Sequence, residues 1–193
     1  FCMNPNGEVV QENYSGIATV NGHSYANYKT PNTNFALLVS EKFTEPFKEP
    51  IQYGQHIARL ANMLGGGILV QRFGDLLEGR RSTPERIASS VITPTLTCAT
   101  PGDLSLVIPY RQMTSIIEML QALDKIAPGT ASRYTLLYGI EVKFYSARVK
   151  LTQQLETEGV KNLFTIGDGA GVTRGLLQAS ASGVYVARTI CER

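Results

Sequence analysis

A glycine-rich stretch near the C-terminus constrains this chain more than any other feature. It runs Phe164-Thr-Ile-Gly-Asp-Gly-Ala-Gly171 and continues as Val-Thr-Arg-Gly-Leu-Leu-Gln-Ala-Ser180. The pattern predicts a short buried strand, a turn over Gly167–Gly171 and then a helix that ends near Ile190. Such an arrangement brings backbone N–H groups and a helix N-terminus up to a bound cofactor.

The acidic residue inside the turn indicates which part of a cofactor the turn contacts. A dinucleotide-binding turn reads Gly-x-Gly-x-x-Gly, and a carboxylate between its glycines would repel the pyrophosphate. Here Asp168 stands between Gly167 and Gly169, and Gly171 follows. A carboxylate accepts hydrogen bonds from sugar-like hydroxyl groups. We therefore interpret the turn as a cofactor contact that is not the main phosphate loop.

The rest of a dinucleotide-binding sheet is not evident upstream. No Gly-x-Gly-x-x-Gly follows a predicted strand, and the chain starts Phe1-Cys2-Met3. We therefore expect these 193 residues to be the C-terminal piece of a longer polypeptide.

Two other classes of function stay open at this point. The chain can be an autonomous interaction or regulatory domain, in which the glycine turn is only a tight connection. It can also be a small nucleotide- or phosphate-binding module that uses Gly167, Gly169 and Gly171 directly, although Asp168 disfavours this unless a metal intervenes.

Composition excludes several classes of protein. Apolar residues make up 43% of the chain and charged residues 18%, which is typical of a globular protein. The net charge of +2 does not indicate a nucleic-acid partner. No apolar run reaches the roughly 18 residues that span a bilayer. Cys2, Cys98 and Cys191 are few and widely spaced, which predicts a reduced cytoplasmic protein without a zinc site.

Strand and helix patterns alternate along the chain. β-Prone runs and apolar periodicity predict strands, and the helices show an apolar stripe. The predicted strands are 8–10, 17–20, 35–40, 68–70 and 135–145, with turns at 4–7, Asn21–Gly22 and Pro31–Asn32. The predicted helices are Gly54–Leu64, a single turn at Phe73–Gly79, and Tyr110–Lys125. Residues 84–109 contain several prolines and are predicted to be an ordered loop with short strands.

These elements predict an α+β fold with two parts. Residues 1–161 form a mixed unit of strands and helices, and residues 162–193 form a terminal strand, turn and helix. The last helix carries a face of small residues, Gly175, Ala179, Gly183 and Ala187. The absence of large side chains there lets the helix approach a sheet or a cofactor closely.

Several segments together resemble a family of FAD-dependent dehydrogenases, which are two-domain flavoproteins. Gly167-Asp-Gly-Ala-Gly-Val-Thr-Arg-Gly-Leu-Leu-Gln is similar to the family's C-terminal flavin-contacting motif. Phe1-Cys-Met-Asn-Pro-Asn-Gly-Glu-Val-Val10, Val20-Asn-Gly-His-Ser-Tyr25 and Asn32-Thr-Asn-Phe-Ala-Leu37 resemble further blocks of the family. Gly74-Asp-Leu-Leu-Glu-Gly-Arg80 with Ser82-Thr83 resembles another. The likeness extends over nearly the whole chain, with the blocks in the family's order.

The resemblance implies an oxidoreductase whose FAD-binding Rossmann half lies outside these residues. Residues 1–161 would be an inserted substrate-side domain, and residues 162–193 would complete the flavin site. Asp168 would accept a hydrogen bond from a ribityl hydroxyl, and the N–H groups of Gly171 and Val172 would face the flavin's pyrimidine edge. A nicotinamide, NAD(P)H, is the expected electron donor. Alone, the chain is expected to be inactive, to bind FAD weakly or not at all, and to self-associate through its terminal helix.

Some residues depart from the family or lack a clear role. Asn4 replaces the family's second cysteine, so Cys2 cannot form a redox dithiol there. The segment Gly139-Ile-Glu-Val-Lys-Phe-Tyr-Ser-Ala-Arg148 follows its family block only loosely, which leaves the contacts of Glu141, Lys143, Ser146 and Arg148 open. His23 and His56 are expected at the surface or in a turn. The catalytic residues are not predicted.

Overall fold

The computed structural model describes residues 3–142 and 148–192. The chain divides into two compact units, residues 1–142 and residues 143–193. Both helices and small sheets are present, so the predicted α+β class is confirmed. The predicted division at residue 161 falls inside the second unit and stays a prediction. No helix in the described ranges is both long enough and apolar enough to cross a membrane.

A β-hairpin opens the first unit. Strands β2 (Glu8–Tyr14) and β3 (Ile17–His23) pair antiparallel, after the two-residue strand β1 (Met3–Asn4). The hairpin turn is Ser15-Gly16, with φ values of 52° and 80°. Two-residue hairpin loops of this kind need positive φ at both positions. The strands predicted at 8–10 and 17–20 are confirmed.

The turn predicted at Asn21–Gly22 is wrong, because both residues lie inside β3. A Cβ atom at Gly22 would lie 2.1 Å from Asn34 Oδ1 and 2.3 Å from Asn4 Nδ2. Asn4 Nδ2 donates to Asn34 Oδ1 over 2.9 Å. Glycine is therefore needed at this position for the close approach of two side chains, not for a turn.

Asn34 belongs to strand β4 (Asn34–Phe35), which pairs antiparallel with β1. The strand predicted over 35–40 is wrong beyond Phe35, because residues 36–40 form no ladder. Leu38 and Val39 are exposed, so their β-propensity has no sheet to stabilise it.

Helix α1 (Pro50–Gly65) confirms the first predicted helix and begins earlier than Gly54. Proline suits the first helical position because that residue's N–H would have no helical partner. Gly66 ends the helix with a φ of 68°. The Asn62 side chain joins α1 to β3: its Oδ1 accepts from the Ala18 N–H over 2.8 Å, and its Nδ2 donates to the Ala18 carbonyl over 2.9 Å.

A three-stranded sheet carries the core of the first unit. Its central strand β5 (Leu69–Arg72) lies parallel to β6 (Thr100–Pro101) and antiparallel to β7 (Leu136–Gly139). Helix α2 (Phe73–Leu77) follows β5 directly and confirms the predicted helical turn. The buried core consists of Ala61, Leu69, Phe73, Leu76, Leu104, Val107, Met113, Leu120 and Ile140.

Helix α3 (Pro84–Ala88) lies inside the predicted loop 84–109, where the prolines do not indicate a helix. The Thr83 side chain accepts from the Arg86 N–H and caps this helix, so proline stands in its first turn. A 3₁₀ turn at Leu104–Leu106 precedes helix α4 (Tyr110–Asp124). α4 confirms the second predicted helix.

A buried carboxylate organises the segment around α2. Asp75 is 1% exposed. Its Oδ2 accepts from Ser82 Oγ over 2.8 Å, and its Oδ1 accepts from Arg80 Nε over 3.0 Å. The guanidinium groups of Arg72 and Arg86 each lie 4.0 Å from the carboxylate. Burial raises the pKa of Asp75, but the hydrogen bonds from Ser82 and Arg80 and the two nearby charges outweigh it and lower the pKa overall.

The second unit is described over residues 148–192. Isolated bridges pair Leu151 with Thr157 and Glu156 with Phe164. A 3₁₀ turn over Asp168–Ala170 leads to helix α5 (Leu176–Cys191). The predicted terminal helix is confirmed. The buried strand predicted before the turn is wrong, because Phe164 forms an isolated bridge to Glu156 and belongs to no strand, and Ile166 is 45% exposed.

Replacing Asp75 tests whether this carboxylate holds the first unit together. Asp75→Asn leaves Arg72 and Arg80 without their buried counter-charge, so the free energy of unfolding at pH 7 should fall by about 3–5 kcal/mol. Urea unfolding followed by circular dichroism measures this fall. The matched control is Glu118→Gln, an exposed carboxylate on α4, which should change the free energy by less than about 0.5 kcal/mol.

The pH dependence of the free energy of unfolding, compared between wild type and Asp75→Asn, gives a second test. A carboxyl whose pKa is lowered by folding stabilises the protein above its unfolded pKa of about 3.9, and that stabilisation disappears as the pH falls through the folded pKa. The stability difference between wild type and Asp75→Asn should therefore shrink below about pH 4. A difference that stays constant down to acid pH would contradict this account.

Candidate functional site

Two glycines with positive φ shape the turn that the sequence singles out. Gly167 has a φ of 69° and a ψ of −164°, and Gly171 has a φ of 71° and a ψ of 14°. Between them, the Ala170 N–H donates to the Gly167 carbonyl over 3.2 Å. The Gly171 N–H donates to the Asp168 carbonyl over 3.0 Å. Residues with side chains rarely adopt these φ values, so the backbone itself requires glycine at 167 and 171.

A buried serine of α5 fastens this turn to the helix. Ser182 Oγ accepts from the Gly167 N–H over 3.0 Å and donates to the Ala179 carbonyl over 2.7 Å. A Cβ atom at Gly167 would lie 3.8 Å from Ala179 Cβ, and one at Gly183 would lie 3.6 Å from Ile166 Cδ1. These ordinary van der Waals distances show that part of the small-residue face of α5 packs against the turn.

Asp168 is exposed at the start of the 3₁₀ turn. Its Oδ1 accepts a hydrogen bond from Thr173 Oγ1. This bond fixes the carboxylate relative to the loop that leads into α5. An ionised carboxylate has only acceptor sites, so it suits a ligand hydroxyl and repels a phosphate.

Gly169 differs from its two neighbouring glycines. It is exposed, and a Cβ atom added there would have no heavy atom of the described residues within 4 Å. Its φ also lies outside the left-handed region. Neither the backbone conformation nor the surrounding packing therefore requires glycine at 169. The open space beside its backbone is suited to the close approach of a ligand.

The predicted helix does not start at the turn. Gly171 closes the 3₁₀ turn in a left-handed conformation, and α5 begins only at Leu176. The prediction that the turn runs straight into the helix N-terminus is wrong. The Gly171 N–H is bonded to the Asp168 carbonyl. Among the described residues, the Val172 N–H makes no backbone hydrogen bond.

A depression of about 380 Å³ lies beside the turn. The segment that follows residue 147 forms one wall, because the Val149 N–H donates to the Ala170 carbonyl over 3.3 Å. Val172 belongs to the lining, which places one predicted cofactor residue at this depression. The other lining residues are Arg148, Val149, Lys150, Leu151, Thr152, Leu155 and Glu158.

The family described as "FAD-dependent protein, C-terminal domain-like" matches residues 1–144. The chain belongs to this family. The match includes the Asp75 network and ends before the glycine turn. The resemblance to FAD-dependent proteins is thereby confirmed.

A relative from Clostridium beijerinckii, an uncharacterised protein, is 32% identical over 205 residues. The alignment covers 100% of this chain and 37% of the relative. This chain therefore spans a little over a third of the length of that relative.

The other sequence candidates fall in different places. Cys2, Lys143 and Ser146 lie outside the described residues. His56 is exposed, as expected. His23 is exposed too, but it is the last residue of β3 and does not lie in the predicted turn. Arg80 is bound to Asp75 and Glu78 and is therefore structural.

Arg148 lines the depression together with Lys150. Lys150 was not among the residues that the sequence indicated. The alternation of basic residues around Val149 was the one available signal. It did not reveal that this segment returns to the glycine turn.

Two glycine-to-alanine substitutions test whether the fold requires glycine at 171 but not at 169. Gly169→Ala should leave the free energy of unfolding unchanged or raise it by up to about 1 kcal/mol, because the unfolded chain loses freedom and nothing clashes. Gly171→Ala should lower it by about 1 kcal/mol or more, because alanine is strained at a φ of 71°. Thermal unfolding of both variants measures the difference. Equal losses of stability would show that Gly169 is also needed by the fold.

Proposed function

We propose that this chain is the flavin-side part of a FAD-dependent oxidoreductase. Membership in a family of FAD-dependent proteins supports the cofactor, and the coverage of only 37% of the relative supports a longer polypeptide. The observation that carries the proposal is the open backbone at Gly169 beside an acceptor carboxylate, Asp168. The same site would be unexplained in an autonomous interaction domain, where the turn would only connect two elements.

The donor and acceptor groups of the turn fit one half of FAD and not the other. The Asp168 carboxylate suits a ribityl hydroxyl, and the Val172 N–H suits a carbonyl oxygen at the pyrimidine edge. The pyrophosphate has no partner of this kind here, because a carboxylate would repel it. We propose that the adenine and pyrophosphate bind to the Rossmann half of the same polypeptide, outside these 193 residues.

When bound, FAD supplies reversible hydride and electron transfer, with NAD(P)H proposed as the donor. The residues of this chain orient the cofactor. Asp168 holds the ribityl chain in one position because Thr173 fixes its carboxylate. Gly169 allows close approach, and the packing of the turn on Ser182 keeps the backbone rigid. The inserted unit, residues 1–161 by the predicted boundary, forms the substrate side.

The terminal helix has an apolar stripe suited to the proposed Rossmann half. Leu176, Leu177 and Val184 are 91%, 82% and 53% exposed and lie on one side of α5. The opposite side buries Ser182 and Val186. Exposed apolar stripes on helices are covered in the complete protein or in an oligomer. We propose that the remainder of the polypeptide covers this one, and that the isolated chain self-associates through it.

Flavin binding by the isolated and complete proteins tests the proposal. The 193-residue chain should show no submicromolar binding of FAD in a fluorescence titration, because it lacks the nucleotide site. The product of the complete gene should purify yellow with stoichiometric FAD. A colourless complete protein that does not take up FAD on reconstitution would overturn the proposal. Tight binding of FAD by the isolated chain would contradict the proposal that the adenine and pyrophosphate bind elsewhere in the polypeptide.

Asp168→Ala in the complete protein tests the role of the carboxylate. The loss of one hydrogen bond to the ribityl chain, about 0.5–1.5 kcal/mol, should weaken FAD binding by about 2- to 10-fold. Equilibrium dialysis measures the dissociation constant. The control is Glu118→Ala, an exposed carboxylate on α4 outside the second unit. If the cofactor-free interaction domain is correct, neither substitution changes flavin content.

A further inference from the structure

The depression beside the glycine turn is an open surface groove lined by charged and apolar residues. Its volume of about 380 Å³ lies in the range of ligand pockets, about 300–1,000 Å³. Leu155 and Val172 give it an apolar wall, and Thr152 adds a hydroxyl. The whole lining lies within residues 148–172, so the site does not depend on any other part of the chain.

Two cations give this depression its chemical character. Arg148 and Lys150 both line it, and both are exposed. Within the described residues, neither forms an ion pair within 4.0 Å. By contrast, Arg80 and Arg133 in the first unit are each paired with Glu78. The lining contains one acid, Glu158, so it carries a net positive charge.

Backbone hydrogen bonds hold the two cations in place at the turn. The Val149 N–H, between them, donates to the Ala170 carbonyl over 3.3 Å, and the Glu158 N–H donates to the Lys150 carbonyl over 3.0 Å. The segment is therefore tied on one side to the glycine turn and on the other to residue 158. The backbone that carries Arg148 and Lys150 is therefore fixed at the depression, with both side chains on its lining.

We propose that this depression binds the substrate, and that the substrate is a small organic anion with an apolar body. Arg148 and Lys150 bind its carboxylate or phosphate group, because a guanidinium fork matches the paired oxygens of either anion. Leu155 and Val172 contact its apolar body. The assignment of the ligand as substrate rests on the proposed function, since Val172 is shared with the proposed flavin contact. Anion binding itself does not depend on flavin.

The isolated 193-residue chain can therefore be used for the test. Benzoate and phenyl phosphate are the probes, and benzamide is the neutral analogue of benzoate. Calorimetry should show saturable single-site binding of one or both anions with a dissociation constant of about 1 mM or tighter, and at least about tenfold weaker binding of benzamide. The stronger of the two anions identifies the group that the site prefers. Absence of saturable binding by both anions would overturn the proposal.

A charge-matched pair of double variants locates the binding. Arg148→Gln with Lys150→Gln should weaken anion binding by at least about tenfold. Lys161→Gln with Arg188→Gln removes the same charge from exposed positions of the same unit outside the lining and should change it less than about twofold. Amide chemical shifts on adding the anion should move at Thr152, Leu155 and Val172. Equal losses in both double variants, or shifts elsewhere in the chain, would contradict the assigned site.

Measuring the flavin content of the complete protein tests the anion site separately from the proposed FAD-dependent function. In the complete protein, Arg148→Gln with Lys150→Gln should retain FAD and lose the change in flavin absorbance caused by the anion. A complete protein without flavin, whose isolated chain still binds the anion, would refute the proposed function and keep the anion site. A flavin-containing complete protein whose absorbance the anion does not change would refute the assignment of this ligand as substrate.

Discussion

The charge of Asp75 fixes the arrangement of the first unit. A carboxylate removed from water is tolerated only when it is paired and hydrogen-bonded. Here the donors come from the segment after α2, through Arg80 and Ser82, while Arg72 and Arg86 add charge from β5 and α3. Each of these segments has to return to the same point for the charge to be compensated. The block Gly74–Thr83, which the sequence shares with FAD-dependent proteins, thus has a structural explanation that requires no contact with a cofactor.

Long amphipathic patterns allowed the main elements of the first unit to be predicted. α1 and α4 follow from apolar residues at helical spacing, and β5 follows from a short buried run. Errors arose where one residue type serves two purposes. Gly22 lies in a strand because two asparagine side chains need its space, and Pro84 opens α3 because Thr83 caps it. Both outcomes depend on neighbours that are distant in sequence or on a cap that periodicity does not show.

The candidate site was predictable in its residues and not in its geometry. The glycine spacing identified 167, 169 and 171, but only the backbone shows that 167 and 171 serve the fold while 169 is open. A strand over 164–166 needs a neighbouring strand to bond with, and within the described residues Glu156 pairs with Phe164 as an isolated bridge. The cations at 148 and 150 could not be located, because one backbone contact with Ala170 brings them to the turn.

The hydroxyl of Ser182 has a consequence for how the whole protein would assemble. One oxygen atom bonds to both the Gly167 amide and the Ala179 carbonyl, so the turn is joined directly to α5. Any surface that seats the helix also sets the position of the Asp168 carboxylate. If the proposed flavin contact at Asp168 is correct, any coupling between flavin binding and docking of the C-terminal helix has the same free energy in both directions. Ser182 therefore connects the glycine turn to helix α5 through its hydroxyl group.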